Sequence, residues 1–244
     1  MHWGGPVQPN TGWVVTGDDA LAGYAAYQAG WCLRDSDPAS AAEAFLRAAP
    51  RYRTAGKAQQ EAMAVSQAAQ LAATAAADPA VVAALFGRAA GLERARGDDA
   101  RLAYNLYQQA WYSEPSRQQD ADPAVAAGLY AQAADAWTAE PARAAQARQQ
   151  RARLLTPAAG ARAGWGEAAA AWREAAAALA VLPDAVARQG ERGHALHQQA
   201  WCLIRGDAAR MTREARELFG EAVRLQEAAG DARGAQASRT WIAR

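Results

Sequence analysis

Five times along the chain an aromatic residue recurs in one local frame: Phe45, Phe86, Tyr130, Trp172 and Phe219, separated by 41, 44, 42 and 47 residues. Four residues before each stands a small apolar residue (Ala41, Val82, Ala126, Ala168, Ala215), and three after it an alanine (Ala48, Ala89, Ala133, Ala175, Ala222). On an α-helix these positions share a face, one turn apart, so each unit offers a large knob flanked by two small steps against which a second helix can pack closely. Eleven residues after each aromatic comes a breaker: Gly56, Gly97, Pro141, Pro183 and Gly230. Glycine ends a helix through a left-handed cap and proline refuses to continue one. Asp37-Pro38, Asp78-Pro79 and Asp122-Pro123 mark the starts of the first three such helices, with aspartate as cap and proline in the first turn. A frame repeated at this period defines an array of helical hairpins, each burying its apolar face only against its neighbours.

Composition agrees with helix. Hydrophobic residues make up 51% of the 244, enough for a core, and alanine dominates them; it loses least entropy on entering a helix. The formal net charge of +1 gives no global field to draw the chain to nucleic acid or anionic lipid. Lys57 is the only lysine among many arginines, the imbalance of a GC-rich genome, and a bacterial origin is expected. No apolar run approaches the roughly 20 residues that span a bilayer. The first residues lack a basic start followed by an apolar stretch, so a cytoplasmic location is expected. Cys32 and Cys202 follow Trp31 and Trp201 at matching places and read as small buried residues with reduced thiols.

The second-helix frame resembles the second half of the tetratricopeptide (TPR) motif, in which alanine, phenylalanine and a further alanine share a face. The resemblance covers about residues 18 to 244, and the segment from Glu217 to Asp231 is similar to the longer repeats, about 40 residues each, of bacterial regulators and kinesin light chains. The family's proline is missing at its usual distance after the second helix, and several first helices lack the family's glycine. The resemblance implies an all-α, right-handed α-solenoid of about five TPR-like hairpins plus a terminal helix. The boundaries expected are 18–56, 57–97, 98–141, 142–183 and 184–230, with a final helix over 231–244. Residues 1–17, rich in glycine and proline, read as a nonhelical arm whose Trp3 and Trp13 pack on the first hairpin.

The first helices carry stripes at helical spacing: Tyr24, Tyr27 and Trp31; Tyr104, Tyr107 and Trp111; His194, His197 and Trp201. One reading makes them core. The same column, however, holds Met63, Ser66 and Gln70 in the second hairpin and Arg148, Arg151 and Leu155 in the fourth, residue types that mostly avoid a packed interior. The adjacent column, Gly30, Ala69, Ala110, Leu154, Ala200 and Ala243, is apolar and mostly small, as a close helix contact requires. The small column is therefore assigned to the interior and the aromatic and arginine column to the concave face, where the resemblance places ligand binding. Gln28, Gln67, Gln108 and Gln198 lie beside it and can donate and accept. Between Glu140 and Glu167 stand five arginines (Arg143, Arg148, Arg151, Arg153, Arg162) and no acid, a local basic region suited to a carboxylate or phosphate, with solvated arginine as the alternative. Arg148 and Arg151 are expected to line the groove beside His194 and His197.

Catalytic patterns are poor. Glu191, His194 and His197 could begin a metal site but lack the second carboxylate and histidine motif of a di-iron bundle, and no metal or other cofactor is expected. No phosphate loop, His-Glu-x-x-His or Gly-x-Ser-x-Gly occurs. The expectation is a protein-interaction module, not an enzyme. Its groove would take an extended peptide or partner segment through aromatics and arginines, the partner bearing an acidic group. The alternatives are a small-molecule sensor or enzyme using the same aromatic and histidine groove, with a cation over the rings, and a structural adaptor using the convex face or the end near Trp241.

Overall fold

The computed structural model describes residues 16–158, 161, 163–183, 186–207 and 210–243; the glycine- and proline-rich arm with Trp3 and Trp13 lies outside the described residues, as does Arg162. Among the described residues there are eleven α-helices and no strand. The array expected as one domain divides into two compact units, with the division between Gly97 and Asp98.

The first unit contains α1 (Thr16–Leu33), α2 (Pro38–Thr54), α3 (Ala58–Thr74) and α4 (Pro79–Arg96), each packed on the next. The second contains α5 (Asp99–Tyr112), α6 (Pro123–Ala136), α7 (Pro141–Leu155), α8 (Trp165–Ala180), α9 (Val186–Gly206), α10 (Arg213–Ala228) and α11 (Ala232–Ile242), again each against its successor. Even-numbered helices carry the repeated frame, and every member of its three columns is buried, from Ala41, Phe45 and Ala48 to Ala215, Phe219 and Ala222. Burying a Phe-sized knob contributes about 2–3 kcal/mol, and the flanking alanines bring the neighbouring backbone close enough to surround it. The small first-helix column is also interior at Gly30, Ala69, Ala110 and Ala200. A Cβ on Gly30 would stand 2.7 Å from the Phe45 ring. Leu154 is half-buried and Ala243, near the end of the chain, is exposed.

The aspartate caps act as the dipeptides predict. Asp37 accepts from the Ser40 amide at 3.1 Å, Asp78 from Ala80 at 2.8 Å and Asp122 from Ala124 at 2.8 Å, with proline opening each helix. Gly56, Gly97 and Gly230 take positive φ after α2, α4 and α10. The proline breakers behave differently: α6 already ends at Ala136, and Pro141 opens α7 instead of closing α6. Cys202 is buried, but Cys32 is exposed, against the expectation of two buried thiols. Both are free.

Candidate functional site

The first-helix column does not stand clear of the second helices. In the first unit the Tyr27 ring meets Phe45 edge-on at 4.9 Å and Trp31 meets the same ring at 5.7 Å. Tyr24 remains 56% exposed and Trp31 37%; Gln28 is exposed, and Gln67 half-buried. In the second unit Tyr107 packs on Tyr130 at 5.1 Å and on Trp137 at 5.4 Å, Trp201 on Trp165 at 5.1 Å, His194 on Trp172 at 5.6 Å and His197 on Phe219 at 5.1 Å. Tyr104, Gln108, Trp111 and Gln198 are half-buried. The column occupies the rim between first and second helices, where a large ring can bury one edge on the second-helix knob.

Rim position also explains why arginine, serine and glutamine share that column: Met63, Ser66, Gln70, Arg148, Arg151 and Leu155 are all half-buried. Their apolar stems can lie on the core while the polar ends reach out. Three of the tryptophans hold an arginine from their own stretch of chain over the ring: Arg34 on Trp31 at 5.1 Å, Arg117 on Trp111 at 3.6 Å and Arg205 on Trp201 at 5.3 Å. A cation slot on those faces is already filled.

The local basic region of the sequence is neutralised by acids that are distant in the chain. Arg153 reaches Glu114 at 2.7 Å, Arg151 reaches Glu174 at 2.5 Å and Arg148 reaches Asp135 at 3.7 Å, while Arg143 pairs with Glu140 at 3.0 Å. Glu114, buried in the connection between α5 and α6, also accepts the Tyr130 hydroxyl at 2.8 Å. Burial opposes its charge, but the bonds from Arg153 and Tyr130 outweigh that and hold its carboxyl below the ordinary value.

The four residues expected in one groove part company. Arg148 borders an open pocket of about 310 Å³ with Asp135, Trp137 and Thr138. His194, His197 and Gln198 border a different one, of about 340 Å³, between α9, the end of α10 and the start of α11. That pocket is the candidate site. Gln226 of α10 and Asp231, Arg233 and Gly234 around the start of α11 complete its polar wall. His197 Nδ1 lies 2.8 Å from the Ser238 hydroxyl, which donates to Gln226 Oε1 at 3.0 Å. Ser238 and Gln226 are both buried, so this relay ties the three helices together from inside. Burial, with the neighbouring His194, pushes the His197 imidazole down to about 4, and burial lowers His194 against the pull of Asp231. Both rings are neutral near pH 7. Glu191 borders another pocket, with Arg188 and Gln146, and no group of three metal-ligating side chains occurs among the described residues.

Sequence reasoning found the α9 half of this site and missed Gln226, Asp231, Gly234 and Ser238. The available signal was glycine inside helices. A Cβ at Gly193 would stand 2.8 Å from Gln226 Cγ, and one at Gly234 2.8 Å from its Nε2. A helix-interior glycine weakens the helix by about 1 kcal/mol relative to alanine, and two of them mark where a neighbour must come close.

The chain is an all-α protein of tandem helical hairpins. A scan against protein-family models finds no match, and a comparison with curated proteins finds none either. Among solved structures it is similar to BtubC (BKLC) from P. vanneervenii, at 14% identity over 94% of this chain and 92% of that one, with a TM-score of 0.34. It is also similar to the C-terminal part of a TPR repeat-containing protein from Cytophaga hutchinsonii, at 11% identity over 93% of this chain and 94% of that one, with a TM-score of 0.28.

Proposed function

We propose that the chain is a non-catalytic interaction module and that first-helix side chains of its second unit hold an extended segment of a partner protein, seated at the pocket of His194, His197 and Gln198. The observation that carries this reading is the pocket itself, open to solvent and bordered by three polar first-helix residues that the repeat pattern had singled out. Gln108, Tyr104, Tyr107, Trp111 and Trp201 would add half-buried rim contacts in the same unit. In the first unit Tyr24, Tyr27, Gln28, Trp31 and Gln67 offer rim edges of the same kind. An acidic group on the partner would have to exchange with a carboxylate already in place on Arg148 or Arg151. The long 3.7 Å pair of Arg148 with exposed Asp135 is the easier of the two to exchange. A ligand cation over the tryptophan faces is disfavoured because arginines already lie there.

The immobilised chain should retain a partner from a lysate of its own cells. Changing Gln198→Glu together with Ala237→Leu, two changes on the pocket's border, should release that partner. Undiminished capture would reject the seat. The pair Arg148→Glu and Arg151→Glu separately tests the arginines, and capture unaffected by it removes them from the site.

A further inference from the structure

First helices have a second face, apart from the rim column, that stacks them on the hairpin before. In α3 it holds Glu61, Ala64, Ala68 and Leu71, all buried, and Glu61 takes Arg53 of α2 at 2.6 Å. Counted from the rim column, the matched residues of α9 are Ala195, Gln199 and Cys202. They too are buried, with the Cys202 thiol beside Thr156 at the end of α7. In α1 the matched residues are Ala22, Ala25, Ala29 and Cys32, and all four are exposed. Leu21, on the border of this stripe, is 69% exposed.

α1 packs chiefly on α2, yet its apolar residues run round the whole circumference, the pattern of a helix covered on more than one side. From Ala20 to Leu33 it carries no charged side chain. A stripe of small residues lets another helix come close, and its neutrality sets no like charges against a copy of itself. The spacing of the stripe, three, four and three, reads the same from either end. A second α1 turned antiparallel therefore meets it in register, Ala22 opposite Cys32 and Ala25 opposite Ala29, each contact occurring twice about the two-fold axis. At the ends Asp18 comes level with Ser36 of the other copy, beside an Arg34 that already holds its own Asp35.

We infer that the chain forms a two-fold homodimer through α1, the stripe of Ala22, Ala25, Ala29 and Cys32 packing antiparallel on that of a second copy. The helix is about 27 Å long, so the pair stands at the lower limit of specific interfaces, about 1,200 Å² in total, and the dimer is weak, with a Kd on the order of 10 µM. Tyr24 and Trp31 lie on a different side of α1 and stay open. The dimer is independent of the His194 pocket and leaves that pocket free.

The test is sedimentation velocity of the full chain from about 1 to about 200 µM, where a reversible monomer–dimer equilibrium should appear. Ala25→Glu puts a charge at an exposed position beside the two-fold axis and should abolish the dimer, with far-UV circular dichroism and Tm unchanged. A second variant reads the orientation. Ala22→Cys sets a new thiol opposite Cys32 of the other copy, within the Cα separation of about 4.4–6.8 Å that a disulfide spans, so mild oxidation should give a covalent dimer. The wild type should give none, because its two Cys32 residues lie about 15 Å apart along the antiparallel pair. A monomer at every concentration overturns the inference and leaves the face to residues 1–15 or to another protein. Dimerisation of Ala25→Glu as strong as that of the wild type, or a wild-type dimer linked through Cys32 on both sides, overturns it equally.

Discussion

At the scale of single residues the structure separates groups that look alike in sequence. The two cysteines occupy matching places after tryptophan, yet Cys32 is exposed while burial pushes the Cys202 thiol up to about 11. Iodoacetamide at neutral pH, read by mass spectrometry, should modify Cys32 and spare Cys202 until the chain is denatured. His197 makes a second contrast. Its folded value of about 4 lies below the ordinary value near 6.5, so the unfolded chain takes up a proton first as pH falls. The stability linked to the neutral ring is present above about pH 6.5 and is lost between there and about pH 4, a change of order 3 kcal/mol. Chemical denaturation at pH 7 and pH 4.5 should show this loss in the wild type and a smaller one in His197→Gln.

At the scale of elements the second helices were legible and the first helices only half so. A second helix repeats its frame because its knob and alanines are enclosed in every hairpin, leaving chemistry little room to vary. Arginine and serine in the first-helix rim of two hairpins give it, in sequence, the look of an open groove. Arg148 and Arg151, half-buried and paired to Asp135 and Glu174, stand neither inside nor outside. Ion pairs between helices cannot be seen by counting charges along one of them. Glu114 is the strongest case, because it fastens the connection between α5 and α6 to Arg153 of α7 and to the buried Tyr130. Glu114→Gln should cost about 2 kcal/mol, since it weakens two charge-assisted bonds at a buried site. Equilibrium urea unfolding at pH 7 checks it. The wild-type advantage should fade below about pH 4, as the carboxyl that α7 holds depressed finally protonates.

At the scale of the whole molecule, the main contacts within each unit run from each helix to its sequence neighbours. Stability in such a chain is a sum of local terms, and damage should stay near its origin. Phe219→Ala removes the knob of α10 and should cost about 3–5 kcal/mol locally. Native-state hydrogen exchange should then show lost protection in α9, α10 and α11, with α5 and α6 of the same unit keeping theirs. Uniform loss across α5 to α11 would mean that the unit is one cooperative block. The repeat period made this neighbour-dominated wiring legible, whereas the division at Gly97 was not, because the frame runs through it unchanged.

The arginines of α7 bear on the order in which the fold assembles. From Pro141 to Leu155 the helix carries Arg143, Arg148, Arg151 and Arg153 and no acid, so alone it has only like charges to set against one another. Apart from Glu140, which caps the helix and pairs with Arg143, its counter-charges sit on α6, on α8 and in the connection after α5, segments that must already be in place before α7 gains from them. In an array that could nucleate at many points, the ion pairs of α7 are therefore expected to form late. Weakening its pairs through Asp135→Asn or Glu174→Gln should speed unfolding while leaving the folding limb of the chevron in place. The charge pattern of one helix would thus set the lifetime of the native state more than the speed of reaching it.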